Sequence, residues 1–259
     1  MKTWKIVVAA ILIAGVAIGF FFYQKEQNKL LFVTEHYPPF AYLTDTGEVT
    51  GLSVSIVREI QSRLGMDESI TLGLWSDAYG LATHRKNVVI FSIRRTPNRE
   101  SIFHWVGPIA RTKNVFYARK GSGLQFDVLE DVKTVPHVGV IASWFNAQNL
   151  ESAGFTNLVK VDTPEELIRK LMNGEADVIA MTDVSMVDYL EENGYTMDDI
   201  EQVLWIDGGY DYIGFSQGTD IEIVQQWKDV LNEIKADGTF KSLYEKYQPG
   251  SDLADLLNL

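Results

Sequence analysis

An α/β fold in two blocks is what this sequence predicts, and three observations carry it. Short apolar runs, several of them free of charge, alternate with stretches of helical periodicity, the mark of mostly parallel sheets covered by helices. The alternation restarts near residue 112, giving blocks at roughly 30–111 and 112–212, each the size of a small domain. No long linker divides them, so they are expected to touch and to enclose a cleft.

In order, Leu30–Thr34 reads as a strand, and His36-Tyr37-Pro38-Pro39-Phe40 as a loop, because prolines cannot continue the ladder. Ala41–Leu43 reads as a short strand turned by Asp45-Thr46-Gly47. Val54, Ile56, Val57, Ile60 and Leu64 fall at helical spacing before the stop at Gly65. Ile70–Leu74 and Val88–Ile93 are the next strands, the second uncharged. The second block begins with a strand at Lys113–Arg119 and a turn at Gly121–Gly123. Val138–Ile141 leads into a helix near Ser143–Leu150, and Leu158–Val161 is another strand. Thr163-Pro164-Glu165-Glu166 is a helix start, a cap followed by proline and acids, and Asn173-Gly174 its end. Ala176–Ala180, a helix at Val184–Glu192 and a strand at Tyr210–Phe215 complete the block. A long amphipathic helix at Asp220–Ala236 and a short one at Thr239–Tyr247 follow.

The 259 residues are 46% hydrophobic and 12% aromatic with seven prolines, a globular rather than disordered composition. Net charge is −12; the first 29 residues carry four lysines against Glu26, a net +3, so the rest carries −15. A body that acidic is a poor partner for nucleic acid or an anionic membrane surface. The lack of cysteine excludes disulfides, Cys-ligated zinc, thiol nucleophiles and a lipidated N-terminal Cys.

Lys2 and Lys5 precede an apolar run from Ile6 to Phe22, and a polar stretch to Lys29 follows, the layout of an export signal. Residues 1–29 therefore read as a signal sequence or an uncleaved membrane anchor. Ala17-Ile18-Gly19 offers a cleavage site, whereas Ile6–Tyr23 left intact would make about 27 Å of helix against a hydrocarbon core of roughly 30 Å. Either way the lysines stay inside and the body outside.

Tyr37-Pro38-Pro39-Phe40 with Gly47 and Gly51, Thr96-Pro97-Asn98-Arg99, Gly174-Glu175-Ala176-Asp177 and Ala236-Asp237-Gly238-Thr239 occur in this order. Together they resemble the extracellular solute-binding proteins of family 3, which include polar-amino-acid receptors of ABC importers. The resemblance runs from Leu30 to Tyr247. It implies a two-lobed, type II periplasmic-binding-protein-like clamp, each lobe a mostly parallel sheet flanked by helices. Lobe 1 would be residues 30–111 plus 213–259, and lobe 2 residues 112–212. The implied function is capture of an amino acid or related carboxylate for an ABC permease, with no cofactor and no chemical change to the ligand. The body is expected to be monomeric, touching the membrane only through an uncleaved N-terminus.

By the same resemblance Arg99 would grip the ligand carboxylate, a role suited to the planar guanidinium fork. Tyr37 would stack on the ligand, or else simply pack on the prolines. Ser92 ends a buried strand, where α/β ligands commonly bind. Ser143 and Trp144 open a helix whose free N–H groups suit an anion. Asp183 would meet a ligand ammonium, although it lies one residue beyond the family's usual position, which Thr182 occupies. Arg94 stands where the family has Ser or Thr; near the cleft it would favour extra ligand negative charge, and alternatively it pairs with a surface acid. Trp75 either walls the pocket or fills core.

Two other classes compete. An anchored ligand sensor would act through a partner. An enzyme would resemble dehydratases of this fold, with Asp183 or Glu35 as the working carboxylate. Against an enzyme, His36, His84, His104 and His137 have no metal-ligand spacing, and no nucleophile elbow, phosphate loop or dinucleotide fingerprint occurs.

Overall fold

The computed structural model describes residues 29–258, so both readings of the apolar N-terminus lie outside the described residues. In chain order, β1 (Leu31–Glu35) is followed by a small hairpin of β2 (Tyr42–Leu43) and β3 (Val49–Thr50). Helix α1 (Leu52–Arg63), β4 (Ile70–Gly73), α2 (Trp75–His84) and β5 (Val88–Arg94) complete the first parallel set. Strand β5 is buried at all seven positions, as its uncharged sequence requires, with Arg94 the exception that needs explanation. Gly51, just ahead of α1, has φ 127°, and a Cβ there would sit 2.3 Å from the Phe40 carbonyl oxygen. The Tyr37–Phe40 loop packs on that bare backbone.

Strand β6 (Phe103–Arg119) then leads to β7 (Val138–Ile141), α3 (Phe145–Ser152) and β8 (Leu158–Val161). Helix α4 (Pro164–Asn173) starts with the Thr163 hydroxyl accepting from the Glu166 N–H at 3.2 Å and ends at left-handed Gly174. Strand β9 (Val178–Thr182), α5 (Met186–Glu192) and β10 (Ile200–Ser216) follow. The tail is α6 (Ile221–Ala236), α7 (Thr239–Tyr247) and α8 (Ala254–Leu257).

The sheet order is β4-β1-β5-β10-β6-β9-β7-β8. Pairing is parallel within each outer set and antiparallel wherever β6 or β10 takes part, so these two strands join the lobes. Phe32, Phe40, Ile56 and Phe91 form one core with Trp227, Phe240 and Leu256, which seats the tail on lobe 1. Phe116, Val138, Val178 and Leu204 centre a second core. A third cluster crosses between the lobes and includes Trp75, Ile90, Trp144 and Tyr189.

Three features depart from the sequence expectations. Strands β6 and β10 each run 17 residues, far beyond Lys113–Arg119 and Tyr210–Phe215. Gly107-Pro108 and Gly208-Gly209 break the apolar pattern that would have announced them, but the two strands pair along their length through shifts in register. The expected lobe limits at 111/112 and 212/213 thus fall inside strands. Helix α2 begins at Trp75 and buries only Trp75, Ala78 and Ala82, too narrow a stripe to register as helical periodicity. Helix α8 adds a further turn after the expected end of structure.

Candidate ligand-binding site

Four charged side chains, Glu35, Arg94, Arg99 and Asp211, lie at the line where the lobes meet. Strand β1 ends at Glu35, and the loop after it turns back so that the Tyr37 N–H donates to the Ala41 carbonyl at 2.7 Å. Tyr37 is buried, and its hydroxyl crosses to lobe 2, donating to Thr182 Oγ1 at 2.9 Å. Thr182 is in turn hydrogen-bonded to Ser185 at 2.8 Å.

At the end of β5 the register against β10 slips by one, Phe91 facing Ile213 and Ile93 facing Tyr212. Ser92 is the extra residue of this bulge and takes φ 58°, a left-handed conformation that an L residue rarely adopts. Its hydroxyl is buried without a hydrogen-bond partner. The strain re-aims the strand end toward the cleft.

Arg94 follows, 6% exposed. Its Nε donates to Asp211 Oδ1 at 3.0 Å, its Nη2 donates to the Thr112 hydroxyl, and its guanidinium lies 4.7 Å from the Phe145 ring centre in lobe 2. The side chain therefore ties β5 to both joining strands. Asp211 Oδ2 is left without a partner. Burial pushes the Asp211 carboxyl above its ordinary value while Arg94 and Arg99 pull it back.

Arg99, on a single 3-10 turn after Pro97, is 1% exposed. Its guanidinium lies 5.3 and 5.1 Å from the ring centres of Trp75 and Tyr79, two rings that are themselves 5.6 Å apart. Nη1 reaches the Arg94 carbonyl at 3.4 Å, but Nε and Nη2 have no hydrogen-bond partner. Burial pulls its pKa below the ordinary value, opposed by Tyr79, Glu35 and Asp211, and a guanidinium stays charged at neutral pH.

Two indoles close the cleft from opposite sides. The Trp75 N–H of lobe 1 donates to the Ser143 carbonyl at 2.8 Å, and the Trp144 N–H of lobe 2 donates to Glu35 Oε2 at 2.9 Å. Farther out, Tyr189 donates to the His36 carbonyl at 2.7 Å, and His36 meets Glu192 at 2.9 Å. Burial pushes the Glu35 carboxyl up to about 8, against the lowering pull of Trp144 and Arg99.

A cavity of about 20 Å3 lies between these groups, lined by Glu35, Tyr37, Trp75, Ser92, Arg94, Arg99, Trp144, Phe145 and Asp211. Glu35, Trp75 and Trp144 separate it from a larger outer cavity of about 240 Å3. Six residues named from the sequence thus converge: Tyr37, Trp75, Ser92, Arg94, Arg99 and Trp144. Ser143 takes part only through its carbonyl. Asp183 does not join them. Its backbone N–H donates to the Lys113 carbonyl and its carboxylate accepts from the Lys113 N–H at 2.9 Å, beside a different surface cavity that Arg111 and Lys113 also line. Strand alternation explains the difference, since at the end of β9 it is Thr182 that turns toward Tyr37. Arg94 is matched by Asp211 and so brings no surplus positive charge to the cavity.

Sequence reasoning missed Phe145 and Asp211 as lining residues, and it raised Glu35 only as the carboxylate of an enzyme. Glu35 had a signal, an acid at the C-terminal end of a buried parallel strand. Asp211 had one too, an acid inside an otherwise uncharged strand. Nothing marked Phe145.

The model of the bacterial extracellular solute-binding proteins, family 3, matches residues 30–250. The chain belongs to that family. Among its relatives are the L-cystine-binding protein TcyJ of Escherichia coli, 23% identical with 93% of this chain and 92% of the relative covered. A probable amino-acid ABC transporter-binding protein of Haemophilus influenzae is 24% identical, with 84% of each chain covered. Among solved structures, holo ArgBP from T. maritima superposes with a TM-score of 0.71 at 21% identity, covering 86% of this chain and 97% of that one. A histidine kinase sensor domain with similarity to periplasmic binding proteins gives 0.76 at 20% identity, covering 86% and 97%. The two-lobed clamp is therefore the fold of this family 3 protein. It is an extracytoplasmic solute-binding protein and not an enzyme. Among the described residues no group of His, Asp and Glu could hold a metal ion.

Proposed function

We propose that the protein captures an α-amino acid or related small carboxylate between its lobes and delivers it to an ABC permease. One observation carries this reading: Arg99 lines the cavity, and its buried Nε and Nη2 have no hydrogen-bond partner. That edge of a guanidinium presents two parallel donors, the complement of a carboxylate. The unpaired Ser92 hydroxyl offers a third donor, and the unpaired Asp211 Oδ2 offers an acceptor for an ammonium. With Arg94 and Asp211 balanced and Glu35 protonated below about 8, the site carries one positive charge and suits a ligand with a carboxylate. The relatives, a probable amino-acid-binding protein and a cystine-binding protein, support the same class.

The test is a thermal-shift and calorimetric screen of the body against amino acids, monocarboxylates and dicarboxylates. A ligand that binds only the folded state raises Tm by mass action. Silence from every carboxylate, or a hit unaffected by Arg99→Ala, would remove this reading. Delivery is tested by adding the liganded protein to its reconstituted permease and measuring ATP hydrolysis. The positive flank and the length of the Ile6–Tyr23 run support a retained anchor, which the N-terminal sequence of the membrane-bound protein would check.

A further inference from the structure

We infer that closing the clamp takes up a proton at Glu35, so that the closed form is favoured at mildly acidic pH and released as the pH rises. The device lies in contacts between the lobes and holds whatever ligand the cleft takes.

Three of those contacts meet at the end of β1, where Glu35 and His36 of lobe 1 face the helices of lobe 2. The Trp144 N–H, at the start of α3, donates to Glu35 Oε2 at 2.9 Å. The Tyr189 hydroxyl of α5 donates to the His36 carbonyl at 2.7 Å, and the His36 ring meets Glu192 of α5 at 2.9 Å. Trp144 and Tyr189 are buried, their ring centres 6.5 Å apart. Separating the lobes parts all three contacts and returns Glu35 to water.

The groups around Glu35 set which form the closed state prefers. Desolvation is the largest influence and pushes its carboxyl up to about 8; Trp144 and Arg99 pull toward ionisation, and Asp211 pushes against it. Arg94 lines the same cavity but is paired with Asp211. Asp162, Glu165 and Glu192 line the outer cavity with Glu35, and their charges repel an ionised Glu35 in the same sense as burial. His36 meets Glu192 as an ion pair only when its ring is protonated, and the neighbouring Asp188 feels the same charge. That exposed pair adds a smaller pull in the same direction.

With the lobes apart, Glu35 reverts toward an ordinary carboxyl near 4.5, so closing binds protons between 4.5 and about 8. The preference for closure is complete below 4.5 and is lost as pH rises through about 8. Glu35 also borders the outer cavity, and water reaching it there moderates the shift. The closed-to-open ratio should therefore fall at least tenfold, roughly, from pH 5.5 to 8.5. A ligand carboxylate on Arg99 would favour neutral Glu35 further, a step that alone rests on the carboxylate-capturing site proposed above.

The chain has no cysteine, so Leu43→Cys on lobe 1 and Met197→Cys on lobe 2, both exposed, take spin labels at those positions only. Pulsed electron resonance on the full chain in lipid nanodiscs, without added ligand, reads the distance between the lobes. The closed population should fall against the open one by roughly tenfold or more between pH 5.5 and 8.5. Glu35→Gln keeps an acceptor for Trp144 but cannot ionise, and should abolish most of that fall. Trp144→Phe removes the donor and leaves the carboxyl, and should keep the fall. A wild-type distance distribution that does not change with pH would overturn the inference, as would wild-type pH dependence in Glu35→Gln. Loss of the pH dependence in His36→Gln, with Glu35 intact, would move the proton to His36 and overturn it as well.

Discussion

The two lobes contribute unlike chemistry to one cavity. Glu35, Arg94 and Arg99 all lie on lobe 1, and Asp211, on a joining strand, is held in register with Arg94. Lobe 2 contributes the rings of Trp144 and Phe145, with the Thr182 hydroxyl and the Ser143 carbonyl as contacts. Charge therefore sits where a ligand can meet it with the clamp open, and the partner lobe brings dry, aromatic cover. Closing that cover lowers the local dielectric and strengthens each charge contact beneath it, which supplies the preference for the closed state that a clamp needs.

Breaking the charged side should have the largest effect. Asp211→Ala leaves Arg94 buried and unmatched, and loss of one partner from such a pair costs about 3–5 kcal/mol of stability. Chemical denaturation would measure it, and a change under 1 kcal/mol would mean that water reaches the pair.

Arg99→Ala comes next, with an expected loss of about 2–5 kcal/mol in ligand binding because a ligand charge is stranded in a dry site. Arg99→Lys should recover part of this, lacking the planar fork. Calorimetry on both decides it; near-normal affinity in each would move the carboxylate elsewhere.

The contact between the lobes is next in size. Glu35 is held near 8 in the folded protein against about 4.5 when exposed, so the folded state binds more protons between those values. Its contribution is complete below pH 4.5 and is lost as pH rises toward and through 8. Glu35→Gln keeps an acceptor for the Trp144 N–H and should flatten the fall in Tm between pH 4.5 and about 8, the window that shift defines. An unaltered slope would show that another group sets it.

Asp183→Asn should do least. Asn keeps an oxygen that accepts from the Lys113 N–H, so stability should fall by less than about 1 kcal/mol, and ligand affinity should stay unchanged. Thr182→Val, which removes the acceptor for Tyr37, should instead weaken ligand-induced closure, seen as a smaller drop in radius on solution scattering. The reverse pattern would return Asp183 to the cleft.

Much of this molecule was legible in its residues because the signals are local. Strands β1, β5, β7 and β9 are apolar runs, α4 carries its own cap and stop, and Arg99 follows a proline turn next to a buried strand. Those features depend on neighbours a few positions away, so periodicity and turn chemistry suffice to find them. Other features depend on residues far apart in the chain. The full length of β6 and β10 is set by their pairing with each other, which overrides the glycines within them. Arg94 and Asp211 are 117 positions apart, and only the sheet register makes them a neutral pair instead of two isolated charges. Thr182 and not Asp183 meets Tyr37 because a strand turns successive side chains to opposite faces. A one-residue register decides that; the sequence marked Thr182 and Asp183 as rivals, and only the strand's pairing chose between them.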